Sequence, residues 1–176
     1  MEATEIRLGP EPHIEVHKYY GGVVAGAVVA SLVLQALLPV HLRSAGYLEL
    51  PLLVTLYFAL SRRNPSSGLL LGMVVGLLQD SLSPQIPLGV YGIAKTLVGF
   101  AGSSIGSRID VEHPVSRFLL TVGFFMFHRV VFVLIRRLLL AQHDTYLTIP
   151  ILIASGANAI LAVAIFPLLD RFRMPS

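Results

Sequence analysis

Six stretches of this chain are apolar on every helical face, and nothing constrains its fold more than the solvent such stretches require. They cover about residues 19–42, 46–60, 67–82, 88–105, 115–140 and 147–169. A bilayer core ~30 Å thick is crossed by roughly 20 apolar residues in helix, which several of these runs supply. A β-barrel reading fails, because barrel strands of ~10 residues alternate apolar and polar positions and these runs do not. Composition excludes a water-facing globule of the same length: 55% of residues are hydrophobic and 13% charged, at a mean hydropathy of +0.76. The expected fold is therefore an all-α integral membrane domain of about six transmembrane helices over residues 19–170. It is flanked by a polar tail, 1–18, and a short basic tail, 171–176.

The basic residues give the orientation. With six spans and a cytoplasmic N-terminus, Arg7, Lys18, Arg62, Arg63, Arg108, Arg117, Arg171 and Arg173 fall inside, and only Arg43, Arg136 and Arg137 fall outside. Short cytoplasmic loops carry the excess of Lys and Arg, so the count of eight against three predicts that both termini are cytoplasmic. Arg136 and Arg137 sit awkwardly at an outer helix end and are expected to snorkel toward headgroups. The same clustering reads the pI near 9.5 as topology and not as nucleic-acid binding.

Small residues recur every fourth position in Gly22, Gly26 and Ala30, in Gly68, Gly72 and Gly76, and in the pair Gly102 and Gly106. That spacing puts them along one helix side, where backbones approach closely in lipid. They serve either packing within the chain or, for the first span especially, docking of a partner's helix.

Charges inside spans are costly and usually partnered, at ~3 kcal/mol each on insertion scales. Glu49, Asp80, Lys95 and Arg129 are the candidates, expected to converge in the outer half of the bundle as two ion pairs or as a polar pocket. His128 and Asn158 could extend that network. No cysteine is present, and no Gly-x-Ser-x-Gly elbow, Walker loop or His-Glu-x-x-His motif occurs. His13 and His17 lie in a proline-containing tail that argues against a metal site. The residues thus assign no catalytic group, metal or cofactor; His128 with Asp80 is the one pair that an intramembrane enzyme would use.

The middle of the chain carries a family resemblance. Residues 50–63, then 72–80 ending Gly-Leu-Leu-Gln-Asp, then Pro87-Leu88-Gly89 and Ala94-Lys95-Thr96-Leu97-Val98-Gly99 resemble the rod shape-determining protein MreD family. The resemblance implies a non-enzymatic subunit of the bacterial cell-wall elongation machinery in the cytoplasmic (inner) membrane. Its partners would be MreC, the RodA glycosyltransferase and a penicillin-binding transpeptidase, with MreB filaments on the cytoplasmic side. It also implies a six-helix fold similar to the S-components of energy-coupling-factor transporters, and hence a pocket opening outward. Asp80, Pro87, Gly89 and Lys95 fall within the matching motif. A vitamin-binding transporter subunit remains the alternative, since the Gly22, Gly26, Ala30 series would serve coupling equally well.

Overall fold

A computed structural model describes residues 19–41, 47–109, 111, 113–142 and 145–174. The tail 1–18 with His13 and His17, the segment with Arg43, and His143 with Asp144 lie outside these residues. The described chain is all-helical: α1 Gly21–His41, α2 Leu50–Arg62, α3 Pro65–Leu82, α4 Val90–Gly106, α5 Pro114–Leu140 and α6 Ile149–Asp170. Three of them, α1, α5 and α6, are long and apolar enough to cross a membrane. Large apolar side chains such as Val29, Leu70, Leu119, Leu138, Ile153 and Ile160 point outward, as they do in a protein solvated by lipid.

Local chemistry sets the boundaries. Proline stands in the first turn of α2, α3, α5 and α6, where its fixed φ suits the helix and its missing N–H costs nothing. Asn64 caps α3 by accepting from the amides of Ser66 and Ser67 at 3.0 and 3.3 Å. Arg63 and Ala141 close α2 and α5 in the left-handed conformation, at φ 54° and 50°. The sequence runs overshoot at four starts, α2 by four residues and α1, α4 and α6 by two. α2 begins at Leu50 and not at residue 46, because Tyr47 to Glu49 form an irregular link. α4 begins at Val90, because Gly89 turns the chain at φ 103°.

α2 is the axis of the bundle. At 13 residues, roughly 20 Å long, it is shorter than a bilayer core. Every residue from Leu50 to Ser61 is buried by protein. α1 and α6 pack on one side through Val24, Val28, Leu53, Phe58 and Phe166. α4, α5 and α6 pack on the other through Leu56, Val98, Phe124 and Ala154.

The antiparallel pair α3 and α4 is the closest contact in the fold. A methyl group added at Gly68, Gly72 or Gly76 would collide with the backbone of Gly99, Lys95 or Tyr91 respectively. One added at Gly106 would strike Leu60 on α2. Small residues let these backbones touch, the packing force available in lipid. This stripe is engaged within the chain.

One end of the bundle carries the described chain termini. There Tyr19 pairs with Arg173, and Asp170 gathers Tyr57, Arg117 and Arg173, each at 2.7 Å. The Tyr19 and Tyr57 hydroxyls complete the clasp at 2.7 Å. α1, α2, α5 and α6 are thereby tied together at one carboxylate. At the opposite end α5, 27 residues and roughly 40 Å long, outruns a ~30 Å core. Its length places Arg136 beside Gln142 and Arg137 over the Tyr146 ring at 4.5 Å. That resolves the awkward pair: both guanidiniums sit in the last turns of an over-long helix.

Candidate functional site

The end opposite the termini holds a polar network inside an apolar bundle, and the irregular link before α2 is its starting point. The link at residues 47–49 and the first amide of α2 carry backbone groups with no intrahelical partner, a cost of several kcal/mol each in hydrocarbon. Two amide side chains answer this. Gln35 on α1 donates to the Leu48 carbonyl at 2.8 Å and accepts from the Leu50 amide at 2.9 Å. Asn158 on α6, fully buried, accepts from the Glu49 amide at 2.9 Å and donates to the Tyr47 carbonyl at 3.0 Å. The Glu49 side chain is thereby fixed at the mouth of the bundle.

Lys95, on α4, is fully buried and reaches Glu49 Oε2 with its Nζ at 3.2 Å. Its ammonium also lies 4.7 Å from the centre of the Tyr91 ring and 3.5 Å from His128 Nε2. Gln79 on α3 donates to the same carboxylate oxygen at 3.4 Å. The glycine stripe makes this geometry, because only a close α3–α4 approach brings Gln79 and Lys95 to one carboxylate.

Asp80 does something other than the expected ion pairing. Its Oδ2 accepts from the Gly89 and Gly92 amides at 2.8 and 2.9 Å, and its Oδ1 from the Tyr91 amide at 2.9 Å. The first amides of a helix are unpaired and carry its positive dipole end, so a carboxylate there is doubly favoured. Asp80 caps α4 from the neighbouring helix and fixes the turn between them. Arg129 makes no ion pair with it. Arg129 donates to the Thr145 carbonyl at 3.2 Å and lies 5.8 Å from the Phe132 ring centre. Nor are His128 and Asp80 brought together, since His128 contacts Lys95 while Asp80 holds backbone.

A cavity of about 320 Å³ opens beside this network, lined by Tyr47, Glu49, Tyr91, His128, Arg129 and Arg136. Apolar walls come from Phe125, Phe132, Ile151 and Ala154. Of the four charges singled out in the sequence, Glu49 and Lys95 form the ion pair, Arg129 lines the cavity with Glu49, and Asp80 caps α4. Gln35 and Gln79 escaped the sequence reading, as uncharged residues in apolar runs. Asp170 escaped because, next to Arg171 and Arg173, it reads as part of a solvated tail. Among the described residues no group of three or more His, Asp or Glu side chains is placed to hold a metal ion.

The small-residue series divides. Gly68, Gly72 and Gly76 face α4, whereas Gly22, Gly26 and Ala30 are exposed on α1. Nothing lies within 4 Å of a methyl group built on Gly22 or Gly26.

A family model described as rod shape-determining protein MreD matches residues 18–174. No curated protein and no solved structure matches the chain.

Proposed function

The chain belongs to the rod shape-determining protein MreD family, a membrane protein of bacterial cell-shape determination, and on that premise we propose that it is a non-enzymatic scaffold of the elongation complex. In this reading its six helices span the inner membrane with both termini in the cytoplasm. The charge asymmetry supports that orientation: among the described residues Arg62, Arg63, Arg108, Arg117, Arg171 and Arg173 gather at the terminal end.

The observation that carries the proposal is the open face of α1. Gly22, Gly26 and Ala30 leave an exposed small-residue stripe on α1, whereas the equivalent stripe on α3 is already filled by α4. The single transmembrane helix of MreC fits such a stripe, because small residues at four-residue spacing admit a second backbone. Docked there, MreC would help position RodA and the penicillin-binding transpeptidase, which this chain would engage directly or through MreC. MreB filaments would couple from the cytoplasmic side without direct contact.

The test is a mild-detergent pull-down from native membranes, with mass spectrometry of proteins and small molecules. Wild type should recover MreC, and Gly22→Leu or Gly26→Leu should abolish that recovery. Gly123→Leu, at an equally open glycine on α5, should leave it intact. Recovery of ATPase subunits with a bound vitamin would instead support a transporter S-component and defeat the scaffold reading.

A further inference from the structure

The cavity opposite the termini is lined by one group, Arg129, that neither the ion pair, the α4 cap nor the α1 face uses. We propose that it binds the phosphate head of an anionic amphiphile, with Arg129 as the principal anion contact.

Arg129 is the first ground. Among the described residues its Nε is buried without a hydrogen-bond partner, and its Nη2 donates to a neutral acceptor, the Thr145 carbonyl. A guanidinium within an apolar bundle is stabilised by an oxyanion that takes Nε and Nη together in fork geometry. Among the described residues no carboxylate does this for Arg129.

The surroundings give the second. Arg136, which also lines the cavity and donates to Gln142, lies 5.5 Å from the same Phe132 ring centre that Arg129 faces. Among the described residues Glu49 is the acidic side chain lining the cavity, and Lys95 neutralises it at 3.2 Å. Thr148, the N-cap of α6, makes no side-chain cap hydrogen bond, so the dipole of α6 starts beside Ile151 without a capping side chain.

Size and lining decide what carries the anion. At about 320 Å³ the space holds a phosphate or pyrophosphate with its first carbons. Phe125, Ile151 and Ala154 form an apolar wall that suits an alkyl chain and gives a hydrated free ion nothing. Phosphate heads are also the anions that a bilayer presents. The proposal is independent of where MreC docks.

The experiment is a calorimetric titration of the delipidated chain, in a neutral maltoside detergent, with dodecyl phosphate, inorganic phosphate and dodecanol. Dodecyl phosphate should bind saturably at one per chain, and at least roughly tenfold tighter than either other probe. Arg129→Gln should weaken it by about tenfold or more, the effect of one charge-assisted contact. Arg129→Lys, which keeps the charge, should retain part of the affinity and guards against a fold defect in the glutamine variant. Arg62→Gln, at the other end, should change nothing. Equal binding by wild type and Arg129→Gln overturns the site. Inorganic phosphate or dodecanol binding as tightly as dodecyl phosphate overturns the amphiphile, leaving a hydrated-ion site or a plain apolar groove.

Discussion

Lys95 Nζ lies 3.2 Å from Glu49 Oε2 with the lysine fully buried, so one ion pair joins α4 to the entry of α2. Removing one member of a buried pair strands the other charge, which typically costs 3–5 kcal/mol, whereas replacing both can be near neutral. Lys95→Met or Glu49→Gln alone should each lower stability by about 3 kcal/mol, and the double variant should recover much of the loss. Thermal unfolding in detergent reads this out; additive losses would show that the two charges are not coupled.

Asp80 should behave as a cap and not as half of an ion pair. Asp80→Ala leaves the amides of Gly89, Tyr91 and Gly92 without their acceptor and should cost about 2 kcal/mol. Asp80→Asn, which keeps one oxygen, should cost less. Hydrogen exchange at residues 89–92 should accelerate in both, and unchanged protection there would refute the capping role.

The two glycine stripes should respond oppositely to the same small change. Gly72→Ala drives a methyl group into the Lys95 backbone and should destabilise by roughly 1–3 kcal/mol or more, as overpacking does. Gly26→Ala meets open space and gains helix propensity, so its stability should stay within about 1 kcal/mol of wild type. Comparing their unfolding temperatures and folded yields decides the matter.

Asp170 should govern closure of the terminal end. Its carboxylate holds Tyr57, Arg117 and Arg173, but it is 22% exposed, which moderates the electrostatic part. Asp170→Ala should cost about 2 kcal/mol and speed hydrogen exchange at the start of α1. Tyr57→Phe, which removes one donor, should cost less.

Much of the architecture was legible because a bilayer demands it: the apolar runs mark the helices to within a few residues, and proline and asparagine mark where they start. The charges were legible as costly, and the structure sets Lys95 3.2 Å from Glu49. Their partners were harder to read. Asp80 faces a helix N-terminus ten residues on, and that appears only once Gly89 has turned the chain. Gln35 and Asn158 answer a demand made by irregular backbone at residues 47–49 and the first amide of α2, and uniform hydropathy conceals that irregularity. The glycine stripes look alike in sequence, and packing alone tells which is filled.

The central claim, a partner helix on α1, is tested most directly by photo-crosslinking in cells with a photoreactive residue placed singly at Ala30 or at Phe127. Ala30 is exposed on the open face of α1, and Phe127 is 39% exposed on α5. A crosslink to MreC from Ala30 and none from Phe127 is the predicted result. A crosslink from Phe127 alone would contradict the account and move the docking surface to the α4–α5 side.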